Sequence, residues 1–209
     1  MSSVPKRRLT PQEYLAIERN ADCKSEYYDG EMFAMAGAKR WHNLIAGNVA
    51  KRLGLQLDDR QCEVYASDMR VKVSPTGMYT YPDVVIVCGE PHFEDRHLDT
   101  LTNPTVIVEV LSESTEAYDR GDKFAHYRRL ESLTDYVLIS QDKMRVEHYV
   151  RYGEAGKQWV LTEINDPNDT LNLTSLDCAI SLRDIYEKVQ LPIGEATKGP
   201  NGPIPQPET

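Results

Sequence analysis

Apolar residues recur at every fourth position in segment 41–57 of the chain. They are Trp41, Ile45, Val49, Leu53 and Leu57. This spacing places them on one side of a helix, so it predicts a long amphipathic helix with one buried face. A shorter helix is predicted before it, because Thr10 can cap a helix start, Pro11 suits the first turn and Glu13 completes a capping box. That helix should end near Arg19.

Short runs of β-branched and aromatic residues, bounded by proline, glycine and asparagine, predict strands elsewhere in the chain. Asp29-Gly30 divides one such region, 26–36, into two short strands, and this dipeptide is the strongest local signal for a hairpin turn. Further strands are predicted at 64–73, 84–87, 105–111, 136–140, 146–151 and 159–164. Further helices are predicted at 119–131 and 181–189. Because strands precede and follow a crossing helix, the predicted fold class is α/β, with a central mixed sheet flanked by helices.

The end of the chain has a different composition. Segment 191–209 contains five prolines and three glycines with almost no large apolar residue. Such a segment buries too little surface to offset the entropy that it would lose on ordering, so we predict a disordered tail. A chain of 209 residues leaves room for one domain before this tail, and we assign that single domain to residues 1–190.

The net charge is −9, from 24 basic and 33 acidic residues. An acidic balance argues against a protein that only coats nucleic acid, since such binding comes from neutralising phosphates. The charge is unevenly spread, because segment 73–115 has seven acidic residues and one basic residue. A central acidic cluster of this kind is either a solvated surface or a cation site.

The sequence disfavours both membrane attachment and export. No apolar run approaches the roughly 18 residues that a membrane span needs, and no apolar segment follows the basic N-terminus. The cysteines are far apart, without a C-x-x-C pair, and are Cys23, Cys62, Cys88 and Cys178. This spacing argues against a zinc site and predicts four reduced thiols in a cytoplasmic protein.

Two carboxylates stand where the predicted strands are otherwise apolar. Asp83 opens the run Val84–Val87, although aspartate is disfavoured in strands, and capping of the preceding turn is the structural alternative. Glu109 lies inside Val106–Leu111, which is apolar on both sides and therefore typical of a strand covered on both faces. An unpaired charge there would cost several kcal/mol, so Glu109 must be protonated, paired with a cationic side chain or bound to a cation.

A lysine follows on the next predicted helix. Lys123 stands four residues before Tyr127 and seven before Leu130, so it borders the buried side of that helix. An ion pair with Asp119, four residues earlier, is the structural alternative. Two carboxylates on neighbouring strands would form a hard oxygen site that suits Mg²⁺, and a nearby lysine would stabilise negative charge. Together these residues indicate metal-assisted hydrolysis of a phosphodiester.

Four segments of the chain resemble those of a known family. They are Tyr28-Asp29-Gly30-Glu31, Tyr81-Pro82-Asp83-Val84-Val85, Val108-Glu109-Val110-Leu111-Ser112-Glu113-Ser114-Thr115 and Asp119-Arg120-Gly121-Asp122-Lys123. The chain resembles the PD-(D/E)XK nuclease superfamily and, within it, the Uma-type family of restriction endonucleases, over about residues 9–190. The superfamily motif places its lysine two residues after the strand carboxylate, where this chain has Leu111. In the Uma-type branch the lysine lies on the following helix, at the position of Lys123.

The resemblance implies a restriction-endonuclease-like fold, dependence on Mg²⁺ with Mn²⁺ as a substitute, and a homodimer. It implies that Asp83 and Glu109 bind the metal together with the backbone carbonyl of Val110. In the same comparison Lys123 steadies the transition state. If Lys123 did not reach the carboxylates, the fold assignment would stand but the activity would not follow.

Two weaker candidates come from the same resemblance. Glu31 would lie near the metal as a second carboxylate, and His42 would contact a phosphate or a water molecule. A solvated glutamate is the commoner outcome directly after a hairpin turn, and a lone histidine at a helix start is more often a packed or capping residue.

The leading prediction is therefore a Mg²⁺-dependent endonuclease, with DNA as the expected substrate and an affinity that falls strongly with salt. The alternative is a nuclease-like domain that has lost turnover and binds nucleic acid or a protein partner. Tyrosine rings could stack on unpaired bases, although tyrosine in a strand more often packs in the core. The tyrosines considered for this role are Tyr65, Tyr79, Tyr81 and Tyr127.

Overall fold

A six-stranded mixed sheet lies at the centre of the computed structural model, which describes residues 8–153 and 156–191. In spatial order its strands are β11 (Gln158–Ile164), β10 (Val146–Tyr152), β9 (Asp135–Ser140), β8 (Val106–Leu111), β6 (Val84–Cys88) and β3 (Cys62–Ala66). Strands β8 and β9 are parallel, and the other neighbours are antiparallel. Strand β8 is buried along its whole length, as its continuous apolar sequence predicts.

Helix α2 (Arg40–Leu57) covers one face of this sheet. The residues that recur at every fourth position from Ile45 to Leu57 are buried against Val106, Val108 and Val110 of β8, which confirms the predicted amphipathic helix. The alternate residues of β8 point to the other face, where Ile107 packs with Tyr127 and Leu130 of the following helical segment. The predicted arrangement of a mixed sheet between helices is therefore present.

A second sheet of five strands packs beside the first. In spatial order its strands are β2 (Glu31–Ala34), β1 (Ser25–Tyr28), β5 (Met78–Thr80), β4 (Arg70–Val73) and β7 (Thr100–Leu101). The predicted hairpin at Asp29-Gly30 is confirmed, with φ values of 47° and 84° at the two turn residues. The predicted first helix is also confirmed as α1 (Pro11–Glu18), with both hydrogen bonds of the Thr10–Glu13 capping box.

Several predicted elements are wrong in their bounds. The run 64–73 is not one strand, because Ser67 takes a left-handed backbone conformation (φ 52°) that ends β3 and sends β4 into the other sheet. The helix predicted at 119–131 covers a different segment, which comprises α3 (Glu116–Tyr118), a π-helical turn (Asp119–Lys123) and α4 (Phe124–Tyr127).

Hairpin β12–β13 near the C-terminal end was not predicted. Its strands are β12 (Thr170–Leu173) and β13 (Cys178–Ser181), and they lead into α5 (Leu182–Ile185), which is shorter than the helix predicted at 181–189. The predicted tail lies outside the described residues from 192 onward. Within the part of the chain that is described, no helix is both long enough and apolar enough to cross a membrane.

The expectation of four reduced thiols is wrong for two of the cysteines. Cys62 and Cys88 form a disulfide, because they are directly paired in the antiparallel register of β3 and β6 with Cα atoms 4.0 Å apart. Their separation of 26 residues along the chain gives no sign of this pairing. Cys23 and Cys178 are free. The cysteine count consequently no longer supports a cytoplasmic location.

Candidate active site

The two carboxylates singled out in the sequence meet at the end of one strand pair. Val84 of β6 pairs with Val108 of β8, so the next step of this antiparallel register places Asp83 opposite Glu109. The backbone N–H of Val110 donates to Asp83 Oδ2 at 2.7 Å, which fixes the aspartate across the end of the strand. The sheet itself therefore brings Asp83 and Glu109 together.

The backbone carbonyl of Val110 lies at the same edge. The N–H and C=O of one strand residue point to the same side, and the N–H of Val110 is directed at Asp83. By this geometry the Val110 carbonyl faces the side of the strand on which Asp83 lies, and it stays a predicted third ligand beside Asp83 and Glu109.

Lys123 reaches this group from the π-helical turn. Its Nζ lies 3.0 Å from Glu109 Oε1, 3.0 Å from Glu26 Oε1 and 3.5 Å from Asp119 Oδ1. A π-helical turn inside a helix is rare and is frequently found at functional sites. Lys123 therefore contacts the strand carboxylate of Glu109, although it lies on the following helix. This contact compensates for Leu111, which stands where the superfamily motif has its lysine.

Glu26 belongs to the same cluster and was not among the residues predicted from the sequence. Its carboxylate is buried, contacts Lys123 and accepts hydrogen bonds from Thr80 Oγ1 at 2.5 Å and from Tyr118 OH at 3.4 Å. The available signal was an acidic residue within a short predicted strand, where such residues are disfavoured. The hairpin pattern gives no indication of which face of the strand is buried, so this signal was not decisive.

A buried tyrosine completes the contacts of Glu109. Tyr127 OH donates to Glu109 Oε1 at 2.9 Å and lies 3.2 Å from Thr80 Oγ1. Tyr127, Tyr79 and Tyr81 are all buried, so they pack in the core, the alternative that the sequence favoured over stacking on bases. Tyr65 is only partly buried and donates a hydrogen bond to Glu63 of its own strand.

The electrostatics of the cluster reflect an excess of carboxylates. Burial, with the nearby charges of Asp119 and Asp83, raises the pKa of Glu109 to about 8 against the opposing effect of Lys123. Burial also raises the pKa of Asp119. Burial alone would lower the pKa of Lys123, but Glu109, Glu26 and Asp119 raise it well above its usual value. One ammonium is thus shared by three carboxylates, and an additional cation would relieve their mutual repulsion.

The weaker candidates occupy different surroundings. His42, in the first turn of α2, places its Nε2 3.2 Å from Asp83 Oδ2, so it does lie beside a proposed metal ligand. Glu31 is the first residue of β2 and pairs with Tyr28 in the hairpin. The place predicted for Glu31, near the metal as a second carboxylate, stays a prediction.

A further buried carboxylate, that of Glu18, holds the supporting segments in place. Glu18 Oε1, at the end of α1, accepts hydrogen bonds from the Ser25 N–H at 2.8 Å and from Tyr81 OH at 2.9 Å. Tyr81 OH in turn accepts from Arg70 Nη1 at 2.8 Å. Ser25 directly precedes Glu26, and Tyr81 lies two residues before Asp83. One side chain therefore ties together the two backbone segments that carry site residues.

The donor set fits a hard divalent cation. Within residues 8–153 and 156–191, neither Asp83 Oδ1 nor Glu109 Oε2 accepts a hydrogen bond, so each carboxylate retains one oxygen for a ligand. No three His, Cys, Asp or Glu side chains in this described part are grouped to hold a metal ion by themselves. Mg²⁺ is usually bound by one or two carboxylates together with water and substrate phosphate, so two carboxylates and a carbonyl suit it.

Two curated proteins are similar to the chain over most of its length. Both are from Synechocystis sp. (strain ATCC 27184 / PCC 6803 / Kazusa). "Uncharacterized protein sll1609" is 42% identical over 160 residues, which cover 77% of this chain and 89% of the relative. "Uncharacterized protein slr1290" is 34% identical over 184 residues, which cover 88% of this chain and 94% of the relative.

A solved structure shares the fold. It is described as the crystal structure of "a putative nuclease belonging to DUF820 from Anabaena variabilis ATCC 29413", and it superposes with a TM-score of 0.70 at 17% sequence identity. The similarity covers 85% of this chain and 97% of the solved chain, so the fold is restriction-endonuclease-like. At the level of sequence, residues 11–183 match the Uma2 family, which is described as "Putative restriction endonuclease". The chain therefore belongs to the Uma2 family.

Proposed function

We propose that this protein is a Mg²⁺-dependent endonuclease that hydrolyses phosphodiester bonds of DNA. Its membership of a restriction endonuclease family and its nuclease-like fold support this proposal. The observation that carries it is the approach of Lys123 Nζ to Glu109 Oε1, at 3.0 Å, on the strand end where Asp83 lies opposite. Two carboxylates and a lysine at one buried edge suit the hydrolysis of a phosphate ester.

Asp83, Glu109 and the Val110 carbonyl would hold the metal ion, and Mn²⁺ would substitute for Mg²⁺ because both ions accept oxygen ligands. When bound, the ion supplies a Lewis acid for the scissile phosphate and for the attacking water. His42 lies beside the Asp83 carboxylate and would orient it toward the metal. The Val110 N–H restrains the same carboxylate from the other side.

Lys123 would stabilise the negative charge that develops on the phosphate in the transition state. Its ammonium is held by Glu26 and Asp119 as well as by Glu109, so its position does not depend on a metal ligand alone. The raised pKa of Lys123 keeps it charged at neutral pH. Glu26 and Asp119 therefore serve as positioning residues in this proposal.

The proposed substrate and assembly follow from the family and from the charge. The net charge of −9 means that the affinity for DNA should be modest and should fall steeply with salt. The family resemblance leads us to propose a homodimer. In the alternative proposal, the same site binds nucleic acid or a protein partner without turnover.

A cleavage assay on labelled single- and double-stranded DNA, with Mg²⁺, Mn²⁺ or EDTA, tests the proposed function. We expect cleavage only with metal, and a loss of about 10⁴-fold, or about 5.5 kcal/mol of transition-state stabilisation, in Asp83→Ala and Glu109→Gln. A matched control is Asp58→Ala, because Asp58 is exposed at the other end of α2, about 24 Å along the helix from His42. It should cleave like the wild type.

The outcomes separate the two proposals. Metal-dependent cleavage that is lost in both site variants and kept in Asp58→Ala supports the endonuclease. Binding of DNA without cleavage under any metal condition supports the domain without turnover. Cleavage that persists in Asp83→Ala contradicts the assignment of the site.

A further inference from the structure

The hairpin that supplies Glu26 also presents aromatic side chains on the same face. In the register of β1 and β2, Glu26 pairs with Phe33 and Tyr28 pairs with Glu31. Residues directly opposite each other in an antiparallel pair share a face, and so do alternate residues of one strand. Tyr28 and Phe33 therefore lie on the face from which Glu26 contacts Lys123.

These aromatic side chains are exposed. Tyr28 is 41% and Phe33 is 50% accessible, and Tyr118, which donates to Glu26, is 37% accessible. The ring of Tyr28 meets the ring of His126 edge-on at 4.5 Å, which places it against α4. We refer to Tyr28, Phe33 and Tyr118 as the aromatic rim.

The opposite face of the same sheet shows that exposure is not a general property of its aromatic residues. Tyr14, Tyr27 and Tyr79 pack into a buried cluster there, with ring centroids 4.9 to 5.7 Å apart. Single apolar residues scattered over a surface need no explanation. The aromatic rim is different because each of its three members neighbours the buried Glu26. Tyr118 donates a hydrogen bond to Glu26, Phe33 is its cross-strand partner, and Tyr28 lies two residues away on the same face.

Nucleobases are the ligands that this combination fits. Tyrosine and phenylalanine rings bind bases by stacking, and such stacking needs the open face of an unpaired base. A duplex hides these faces, so enzymes that contact them bind single strands or displace a base from the stack. An apolar protein partner would cover the rim equally well but would bring no phosphate to Lys123.

We propose that the aromatic rim is a stacking subsite for unpaired nucleobases next to the scissile phosphate. The substrate is then a single-stranded nucleic acid or a displaced strand rather than an intact duplex. This inference rests on the proposed function for the identity of the reacting phosphate. Stacking is tolerant of sequence, so the subsite selects for strandedness and not for a particular base.

Binding without cleavage tests the subsite directly. The probes are a fluorescent DNA single strand of about 15 nucleotides, the matching RNA strand and the corresponding DNA duplex, measured by anisotropy in EDTA. The wild type should bind either single strand more tightly than the duplex. Tyr28→Ala and Phe33→Ala should each weaken single-strand binding by roughly 5- to 100-fold.

Three further variants make the result specific to stacking. Phe33→Leu keeps an apolar side chain without a ring and should behave like Phe33→Ala, whereas Phe33→Trp should retain binding. Tyr152→Ala is the matched control, because Tyr152 is 63% accessible but lies on β10, beyond the start of β9 and away from Glu109. It should bind like the wild type. Tyr118 is left unchanged, since it contacts the catalytic cluster.

The outcomes distinguish this inference from the proposed function. Thermal melting first establishes that each variant is folded. Single-strand binding that is unchanged in Tyr28→Ala and Phe33→Ala, or that falls equally in Tyr152→Ala, overturns the subsite even if the enzyme cleaves DNA. Binding of the duplex in preference to both single strands also overturns it. Ring-dependent binding without any cleavage supports the subsite while contradicting the proposed endonuclease.

Discussion

Glu109 and Asp135 are buried carboxylates on the adjacent parallel strands β8 and β9, but their surroundings differ. Both oxygens of Asp135 are engaged, with His148 Nε2 at 2.7 Å from Oδ1, and with Thr134 Oγ1 at 2.7 Å and Ser175 Oγ at 2.5 Å from Oδ2. Burial raises the pKa of Asp135, but these hydrogen bonds outweigh it and lower the pKa below its usual value. Glu109 has its pKa raised to about 8, mainly by burial.

The difference lies in the balance between donors and competing charges. The carboxylate of Asp135 has three side-chain donors. Glu109 shares Lys123 with Glu26 and Asp119, and among residues 8–153 and 156–191 only Tyr127 donates to it in addition. A fully bonded buried carboxylate stabilises a fold, whereas an incompletely compensated one at an open strand edge is suited to bind a cation. Burial alone does not separate the two roles.

The largest effect on stability should come from removing the well-bonded carboxylate. Asp135→Ala leaves His148 and Ser175 without their buried partner, so we expect the free energy of unfolding to fall by about 3 to 5 kcal/mol. Glu109→Gln keeps the shape of its side chain and leaves Lys123 paired with Glu26 and Asp119, so it should not destabilise the metal-free protein. Urea denaturation of both variants at neutral pH in EDTA measures the contrast.

Equal losses of unfolding free energy in Asp135→Ala and Glu109→Gln would show that the two carboxylates do not differ in role. If Glu109 were an ordinary structural ion pair, Glu109→Gln would unfold at a much lower urea concentration than the wild type, with or without metal. A milder variant tests the hydrogen bonds of Asp135. Ser175→Ala removes one of its donors and should lower the free energy of unfolding by about 1 kcal/mol.

The metal-ligand candidates could be predicted from the sequence, but the difference between Glu109 and Asp135 could not. Asp83 and Glu109 could be found because each interrupts an apolar strand. Asp135 also opens an apolar strand and looks equivalent to Asp83 on that criterion. It differs in its partners, and Ser175, 40 residues away, reaches it only through the tertiary fold.

Contacts between segments that are distant in sequence also explain the other differences between prediction and structure. Periodicity predicted α2 correctly and the Asp29-Gly30 turn predicted the hairpin correctly, because both signals are local. The pairing of Cys62 with Cys88 and the burial of Glu26 depend on register between strands that are distant in sequence. Local patterns fix the spacing of residues along an element, but the partner element decides which of its faces is buried.

Metal binding should distinguish the two carboxylates by a smaller effect. A ligand that binds only the folded protein stabilises it by about 3 kcal/mol when present at 100 times its dissociation constant. Excess Mg²⁺ should therefore raise the melting temperature of the wild type and of Ser175→Ala, but not of Glu109→Gln. Thermal melting with Mg²⁺ and with EDTA gives the shift. An equal gain in Glu109→Gln would exclude Glu109 as a ligand.

The smallest expected effect is a pH dependence that belongs to Glu109 and not to Asp135. The folded protein holds the Glu109 proton more tightly than the unfolded chain, because the pKa rises from 4.5 to about 8. The stability that this proton confers is complete below pH 4.5 and is lost as the pH rises through 8. The lowered pKa of Asp135 has the opposite consequence, since its contribution is present above its ordinary pKa of 3.8 and is lost only in acid.

Glu109→Gln should consequently gain stability relative to the metal-free wild type as the pH is raised from 5 to 8. Ser175→Ala should keep a constant difference from the wild type over the same range. Both differences are measured by urea denaturation in EDTA at several pH values, so titrating groups shared by the proteins largely cancel. Mg²⁺ requires the ionised carboxylate, and its affinity for the wild type should therefore weaken as the pH falls below 8. A Glu109→Gln difference that stays flat from pH 5 to 8 would mean that Glu109, like Asp135, is already ionised and compensated within the fold.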